Sequence, residues 1–480
     1  MHSRSKIFLI LLIVLIASFF RFYDFKNLPP GLYSDEAMNG NNAVQALQAA
    51  PPAGGFKVFY EENNGREGLF INIQALFLKI FGANEPWVLR LPSAIFGILT
   101  VLGIYFLTRE LFEDKRIALL ATFLIATSFW HINFSRVGFR AIMAPFFLTW
   151  GLYFLLLSFR RQTKWLPALA GIIYSLGMYS YIAYRATPLL VILILVFCGK
   201  IFGWRKSLRI GSIFVVAAVL ISLPLGIYFW SHPQDFFGRT SEISIFNSLT
   251  PLKDLGLNIL KTAGMFNFAG DWNPRHNLPG EPLLYWPVGI LFALGLLYGL
   301  LNKKMPGRFA FWILFSWLIV ATLPVVVSNE GLPHALRSFL MAPPVFIIAA
   351  LGGASLYEFL KTETNSRLLK AISFLFLILL ILNAYQTYFL DWAKRADVAE
   401  AFNAKYVQIA EEINALPPAT AKYLVVDTGG HDIRKIGSPA QTVMFLTDTY
   451  LPEKQKEKNL RFILPQEITN IPSGSFVVTL

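Results

Sequence analysis

The stretch that decides the fold is Ile7-Phe-Leu-Ile-Leu-Leu-Ile-Val-Leu-Ile-Ala-Ser-Phe-Phe20, an apolar run without a charged side chain. It follows a short basic start with Arg4 and Lys6, which is also how a signal peptide begins. The run has no small-residue cleavage site and continues directly into the aromatic and charged segment 21–23. We therefore interpret it as an uncleaved first membrane span.

The composition of the whole chain agrees with this interpretation. Of the 480 residues, 55% are hydrophobic and only 15% are charged, whereas an ordinary soluble domain carries about 25% charged residues. A soluble enzyme, a disordered protein and a fibrous protein are thereby excluded. Ten further apolar runs approach spanning length, which with the first predicts eleven transmembrane helices: about 88–108, 117–134, 141–159, 165–182, 187–203, 210–230, 283–301, 309–327, 338–359 and 369–389.

The placement of Lys and Arg predicts the orientation of the chain. If the N-terminus is cytoplasmic, the short inside segments hold 18 of these cations and the short outside loops hold four. Because Lys and Arg resist translocation, we expect an inside N-terminus and an outside C-terminus. The net charge of +13 is then explained by loops that face anionic membrane lipid, and nucleic acid is not expected as a partner.

The composition predicts two domains, a transmembrane domain over residues 1–389 and a small extracytoplasmic α/β domain over residues 390–480. Two long outside loops interrupt the spans, at 23–86 and 231–282. Within the first loop, Ala37–Ala49 and Leu69–Phe81 are too short to span and predict helices in the membrane interface. The C-terminal pattern predicts, in order, the helix Asp397–Leu416, the strand Lys422–Asp427, the helix Pro439–Leu446 and strands near Arg461–Leu464 and Ser475–Thr479.

Acidic residues are scarce on the predicted outer face, and two groups occur in the first outside loop. Asp35 and Glu36 are adjacent, so on a helix they point about 100° apart and one can face a cleft while the other pairs locally. Ser34-Asp35 is also typical of a helix start, where the carboxylate acts only as a cap. Arg66-Glu67 lies between glycines, which suits either a solvated ion pair in a turn or a second acidic group beside an acceptor.

Several cations lie near the predicted outer interface, against the positive-inside preference. They are Arg90, Arg136, Arg140, Arg185, Arg275 and Arg337. Each alone is explained by a side chain that reaches the membrane surface from a helix end, but together they favour a site for a lipid phosphate, since guanidinium pairs well with phosphate oxygens. Further candidate substrate contacts are Arg66, Tyr184, Arg185, His276 and His334.

The histidines give no motif for a metal ion. His131, His232, His276, His334 and His431 are scattered, without a pair at metal-ligand spacing. A divalent metal held by His276 or His334 with Glu67 is the less favoured alternative, and no metal ligand or cofactor is predicted. The single cysteine, Cys198, excludes an intrachain disulfide and a cysteine metal cluster.

These residues resemble a known family. Pro29-Pro30-Gly31 to Asp35-Glu36-Ala37, then Asn64-Gly-Arg-Glu-Gly-Leu69, Arg90-Leu-Pro-Ser-Ala94 and Phe134-Ser-Arg136, are similar to the polyprenyl-phosphate-sugar-dependent glycosyltransferases of the C-type (GT-C) fold. Within them the chain most resembles glycosyltransferase family 39, the dolichyl-phosphate-mannose protein mannosyltransferases and bacterial aminoarabinose-type transferases. The similarity covers about residues 1–340.

The resemblance implies a fold, a reaction and site residues. It implies a polytopic helical membrane enzyme that moves one hexosyl or pentosyl unit, with inversion, from a polyprenyl phosphate to an acceptor hydroxyl on a lipid, glycan or protein. Asp35 would be the general base, with Glu36 supporting it and Glu67 as the second acidic motif. The resemblance also implies that the donor phosphate is bound by Arg90 together with Arg136 or Arg140, with Arg275 and Arg337 as weaker candidates.

One departure from the family concerns the acceptor. Eukaryotic protein mannosyltransferases carry a large β-trefoil insertion in a later outside loop, and the 231–282 loop is too short to hold one. This favours a bacterial or archaeal enzyme in the plasma membrane. The alternative of a different class is a transporter or flippase of an anionic lipid or lipid-linked glycan, although such proteins usually show repeat-related halves and charges at mid-membrane.

Overall fold

The computed structural model of the chain describes residues 3–49, 54–62, 65–161, 163–242, 244–426, 432–433, 436–437 and 440–480. Four residues discussed above, Asn64, Asp427, His431 and Pro439, lie outside the described residues. The described chain is mainly helical, as the hydropathy pattern predicts.

The helices, in chain order, are α1 (Ser3–Phe22), α2 (Ser34–Gln48), α3 (Leu69–Phe81), α4 (Pro86–Phe112), α5 (Lys115–Ala126), α6 (Phe129–Phe134), α7 (Met143–Arg160), α8 (Trp165–Leu176), α9 (Thr187–Phe202), α10 (Trp204–Ser231), α11 (Pro233–Glu242), α12 (Pro251–Gly264), α13 (Trp286–Leu301), α14 (Arg308–Val326), α15 (Ala342–Glu363), α16 (Ser366–Tyr385), α17 (Ala396–Ala401), α18 (Ala404–Ala415), α19 (Ala440–Leu446) and α20 (Pro452–Glu457). The strands are β1 (Phe59–Tyr60), β2 (Arg66–Glu67), β3 (Lys422–Val425), β4 (Asp432–Ile433), β5 (Ile436–Gly437), β6 (Leu460–Ile463) and β7 (Phe476–Thr479).

Seven helices of the described chain are long and apolar enough to cross a membrane: Pro86–Phe112, Arg140–Arg160, Ile182–Phe202, Trp204–Ser231, Arg308–Val326, Arg337–Glu363 and Ser366–Trp392. Three other predicted spans form shorter apolar helices, Ile7–Phe22, Trp165–Tyr179 and Trp286–Leu301. The run 117–134 does not form one helix, because α5 ends at Ala126 and α6 begins after Ser128. The backbone of Ser128 is extended, which interrupts the helical hydrogen bonds. The total of eleven spans remains a prediction.

The described chain divides into two compact units, and each is described by itself. Unit 1 comprises residues 1–23, 93–135 and 140–390, and unit 2 comprises residues 24–92, 136–139 and 391–480. The predicted boundary at 389/390 is one residue from the observed division at 390/391. The first outside loop, which the sequence analysis placed in the transmembrane domain, groups instead with the C-terminal segment.

Unit 1 contains the long apolar helices. α8 packs against both α7 and α10, and α15 packs against α5 and α13. Two glycines allow α13 and α15 to approach at backbone distance: a Cβ at Gly295 would lie 2.0 Å from the Ile348 carbonyl oxygen, and one at Gly352 would lie 2.0 Å from the Leu291 carbonyl oxygen. Small residues at such crossings are typical of helices packed in a membrane, where close van der Waals contact replaces the hydrophobic effect.

Unit 2 combines the first outside loop with an α/β segment. Its three-stranded sheet is parallel with the order β6-β3-β7, so each strand predicted from the C-terminal pattern is present within a residue or two. The predicted helix Asp397–Leu416 is divided into α17 and α18 at Asn403, whose φ of 55° is left-handed. Left-handed backbone suits Asn and ends a helix.

The two short helices of the first outside loop differ in exposure. α3 keeps an apolar exposed edge, with Leu76 and Ile80 at 45% and 72% exposure, as an interfacial helix requires. α2 is instead enclosed by protein, because it packs against α3 and α19 over most of its circumference. Its Asn41 side chain donates to both the backbone and side-chain oxygens of Gln441.

Candidate active site

The two adjacent carboxylates at the start of α2 have opposite environments. The Asp35 side chain is 34% exposed, whereas the Glu36 side chain is fully buried. The N-cap residue of α2 is Tyr33, whose side chain makes no capping bond. Both carboxylates still lie in the first turn, where the helix dipole favours negative charge. The structure thus separates one accessible carboxylate from one internal one.

Glu36 forms a buried bidentate ion pair with Arg90. The Arg90 Nε donates to Glu36 Oε2 at 2.9 Å and Nη2 donates to Oε1 at 3.0 Å, and both side chains are fully buried. Arg90 also donates to the carbonyl oxygens of Pro29 and Gly31, each at 2.8 Å. The Gly138 N–H donates to Glu36 Oε2 at 2.6 Å, a contact that the sequence analysis did not find. Arg90 and Glu36 thus hold each other inside unit 2, and neither side chain is exposed.

Asp35 is held by Arg66 from the small hairpin of unit 2. β1 and β2 pair antiparallel, with Phe59 opposite Glu67 and Tyr60 opposite Arg66. From this hairpin the Arg66 Nη2 reaches Asp35 Oδ2 at 3.0 Å. Arg66 and Glu67 are both buried, with relative exposures of 7% and 2%. Of the three carboxylates predicted to be catalytic, Asp35 is therefore the one that an acceptor can reach.

Arg136, like Arg90, donates hydrogen bonds to backbone carbonyl oxygens before α2. Its Nη2 donates to the carbonyl oxygens of Leu28 at 3.1 Å and Asp24 at 3.3 Å, and its guanidinium lies 5.5 Å from the Phe25 ring centre. The side chain is fully buried. Two of the arginines predicted to bind phosphate thus hold the segment that leads into α2.

The remaining predicted site residues belong to unit 1. Arg185 donates to the Phe236 carbonyl oxygen at 2.9 Å, and its guanidinium lies 4.8 Å and 4.6 Å from the Phe229 and Phe236 ring centres. The Tyr184 hydroxyl donates to the Tyr174 carbonyl oxygen at 2.8 Å. These contacts explain both residues without a substrate.

Three further arginines of unit 1 were predicted to bind phosphate. Arg337 is buried and donates to Ser328 and Glu330. Arg140 lies 5.7 Å from the Tyr181 ring centre, and the Arg275 Nε donates to Asn273 Oδ1 at 3.2 Å. Both Arg140 and Arg275 are half-buried, so of the three these two retain partial exposure.

The structure brings His276 and His334 together with Asp271, a residue that the sequence analysis did not select. Asp271 Oδ2 lies 3.0 Å from His276 Nδ1 and 3.7 Å from His334 Nδ1. Burial lowers the pKa of both imidazoles, that of His334 well below its usual value, so both are neutral at neutral pH. Burial alone would raise the pKa of Asp271, but the hydrogen bonds from His276 and from the Asn273 backbone help to leave it below its usual value. One atom from each residue could hold a metal ion, since these atoms lie within 4.8 Å of one another.

A family model and solved structures are similar to this chain. Residues 69–229 match the family model described as dolichyl-phosphate-mannose-protein mannosyltransferase. A search of the curated proteins finds no match. The matched segment begins at the first residue of α3 and ends within α10. This agrees with the resemblance to family 39 that the sequence motifs indicate.

Among solved structures, the oligosaccharyltransferase of Archaeoglobus fulgidus in the apo form matches with a TM-score of 0.56 at 16% identity, over 98% of this chain and 66% of that one. This chain therefore spans slightly under two thirds of that protein. ArnT from Cupriavidus metallidurans bound to undecaprenyl phosphate matches with a TM-score of 0.55 at 13% identity, over 100% of this chain and 93% of that one. At these identities the similarity shows the fold, and the predicted GT-C fold is confirmed.

Proposed function

We propose that this chain is a GT-C glycosyltransferase that moves one sugar, with inversion, from a polyprenyl-phosphate donor to an acceptor hydroxyl. The mannosyltransferase-like segment 69–229 and the GT-C fold support this class of reaction. ArnT was solved with undecaprenyl phosphate and the archaeal enzyme AglB with a dolichol-phosphate, which supports a lipid-linked donor. The distribution of Lys and Arg supports a cytoplasmic N-terminus, with the C-terminus and the active site outside the plasma membrane. No observation on the described residues favours a transporter.

The observation that carries the proposal is the accessibility of Asp35. Its neighbour Glu36 is fully occupied by Arg90 and the Gly138 N–H, so that carboxylate is unsuited to proton transfer. Asp35 pairs with Arg66 at 3.0 Å, and its side chain remains 34% exposed. A carboxylate that is held in place and accessible to an acceptor suits a general base.

In the proposed reaction Asp35 accepts the proton of the acceptor hydroxyl. The acceptor oxygen forms a bond to the anomeric carbon from the face opposite the phosphate, and the bond between that carbon and the phosphate oxygen breaks. The electron pair leaves with the lipid phosphate, whose charge needs guanidinium donors. Among the arginines predicted to bind phosphate, Arg140 and Arg275 in unit 1 are half-buried, and we propose that they contribute to donor binding.

The test is Asp35→Asn in purified protein reconstituted with polyprenyl-phosphate sugars. We expect transfer to fall by about 10²–10⁴-fold, the usual contribution of a general base, while the donor still binds. Asp397→Asn is the matched control, because Asp397 pairs with Arg395 at 2.8 Å on the surface of the same unit. Full transfer by Asp35→Asn at normal expression would show that the mechanism is wrong.

Two further measurements define the substrates. A panel of radiolabelled polyprenyl-phosphate sugars, incubated with the protein and membrane acceptors, shows which label is transferred. The anomeric configuration of the product, compared with that of the donor, tests inversion.

Arg140→Gln and Arg275→Gln should raise the KM for the donor, and an unchanged KM in both variants would remove them from the phosphate site.

A further inference from the structure

The buried cluster formed by Asp271, His276 and His334 lies in unit 1 and has no task in the proposed reaction. Asp271 and His276 are 4% and 5% exposed, and the His334 side chain is 15% exposed. The cluster joins two segments that are distant in sequence, the loop before α13 and the loop before α15. Two imidazoles around one buried carboxylate form a set of side chains that could bind a metal ion.

Backbone contacts fix the carboxylate independently of the imidazoles. Asp271 Oδ2 accepts the Ala335 N–H at 2.8 Å, and Oδ1 accepts the Asn273 N–H at 2.8 Å. His276 Nδ1 lies at hydrogen-bond distance from the same Oδ2, at 3.0 Å. The carboxylate is thus oriented by groups that would remain in place if the imidazole contact changed. Such supporting hydrogen bonds are typical of carboxylates that bind a metal.

His334 contributes an imidazole whose Nδ1 accepts only a long hydrogen bond among the described contacts of this cluster. Its Nδ1 accepts the Arg337 N–H at 3.4 Å, which places a lone pair rather than a proton on this atom. The same Nδ1 lies 3.7 Å from Asp271 Oδ2, a separation beyond hydrogen-bond range. The His334 Nδ1 therefore carries a lone pair beside a buried carboxylate oxygen, and a cation that binds both atoms would replace the long hydrogen bond from the Arg337 N–H.

We propose that Asp271, His276 and His334 bind one divalent transition-metal ion of the zinc class. Bonds of about 2.0–2.1 Å in a tetrahedral site place ligand atoms about 3.4 Å apart. The two separations from Asp271 Oδ2, at 3.0 Å and 3.7 Å, lie on either side of this value. His276 binds through Nδ1 once its proton resides on Nε2, so the ring stays neutral. Two nitrogens and one oxygen favour zinc over magnesium or calcium, and three protein ligands leave a fourth position open.

The first measurement uses the wild-type protein alone. Protein purified in detergent is stripped with EDTA, incubated with Zn²⁺ or Mg²⁺, desalted and analysed for metal content and thermal stability. We expect one retained zinc per chain, a higher Tm with zinc, and neither effect with magnesium. Absence of retained zinc together with an unchanged Tm overturns the proposal. Because the readout is metal content, this result does not depend on the proposed sugar transfer.

The second measurement assigns the ligands. His276→Asn and His334→Asn should each weaken zinc binding by at least about tenfold and abolish the visible absorption of a Co²⁺-substituted sample. The matched control is His232→Asn, because the His232 Nδ1 lies 3.1 Å from the Tyr228 carbonyl oxygen and His232 is not part of the cluster. Equal zinc retention by all three variants means that the ion binds elsewhere, and this overturns the assignment.

Discussion

Glu36→Gln is the substitution that best separates a positioning carboxylate from a catalytic one. Glu36 and Arg90 are both fully buried, and two hydrogen bonds of 2.9 Å and 3.0 Å join them. Glutamine keeps the size of the side chain and one acceptor oxygen. It removes the negative charge and leaves the Arg90 guanidinium charged and buried without a counter-ion.

The expected loss of stability follows from the geometry of the pair. Removing one partner of a buried ion pair costs about 3–5 kcal/mol, because the other charge is left uncompensated. The contacts of Arg90 with the Pro29 and Gly31 carbonyl oxygens remain, so the lower part of this range applies. For units of 150–250 residues, one kcal/mol lowers the Tm by about 2–4 °C. We therefore expect a decrease of about 6–12 °C.

The assay is thermal unfolding of the purified chain, combined with Arg90→Met and the double variant. If Glu36 acts by neutralising Arg90, the double variant Glu36→Gln/Arg90→Met should lose less stability than the sum of the single variants. The exposed pair Arg395–Asp397 supplies the control, since Asp397→Asn should leave the Tm unchanged. A normal Tm for Glu36→Gln, with a loss of transfer as large as that of Asp35→Asn, would refute the positioning role.

Three other substitutions test packing contacts by the same unfolding assay. Gly138→Ala places a Cβ 3.0 Å from Glu36 Oε2, and we expect a loss of about 1–3 kcal/mol. Gly352→Ala brings a Cβ to 2.0 Å from the backbone of α13 and should prevent normal packing of α15, seen as poor expression or a much lower Tm. Gly256→Ala, in open space on α12, is the control for both and should not destabilise. Asn403→Ala removes hydrogen bonds to the Leu32 carbonyl oxygen and the Ser34 and Thr442 hydroxyls, at a cost of about 1–3 kcal/mol; an unchanged Tm would contradict the importance of this contact.

Local patterns account for most of the fold that could be predicted. Apolar runs identify helices because burial in lipid acts on each run separately, and ten of the eleven predicted spans correspond to one apolar helix, the exception being 117–134. The failure at 117–134 is also local in origin: Thr127 and Ser128 are too weakly polar to interrupt a hydropathy average, but the extended backbone of Ser128 ends the helix. The grouping of the first outside loop with residues 391–480 depends on contacts between distant segments, which periodicity does not record.

In the candidate site, too, local sequence predicts some features, whereas contacts between distant residues decide the others. The adjacency of Asp35 and Glu36 on a helix predicts that they face different surroundings, and the structure has this arrangement. Their partners could not be predicted, because Arg90 and Gly138 lie 54 and 102 residues from Glu36. His334 likewise meets Asp271 only through the folded loops, whereas motif spacing detects ligands that share one helix or turn.

Two arginines on the predicted outer face, Arg90 and Arg136, donate hydrogen bonds to backbone carbonyl oxygens, a role that the phosphate hypothesis does not include. The segment from Asp24 to Gly31 has no regular helix or strand, and several of its carbonyl oxygens accept hydrogen bonds from arginine side chains elsewhere in unit 2. Arg90 and Arg136 together donate to four of them, those of Asp24, Leu28, Pro29 and Gly31. A guanidinium suits this task because it carries five N–H donors in a fixed plane, which lysine cannot reproduce.

The hydrogen bonds of Arg90 and Arg136 fix the backbone that leads to Asp35. The segment braced by Arg90 and Arg136 ends four residues before Asp35, and Arg90 also neutralises the adjacent Glu36. In the proposed mechanism, Arg90 and Arg136 therefore serve the active site by fixing the backbone in front of the base. Arg90→Lys should accordingly lower stability and transfer together, whereas Arg275→Gln should affect the donor KM with the Tm unchanged. Equal behaviour of the two variants would contradict this division of roles between the buried and the half-buried arginines.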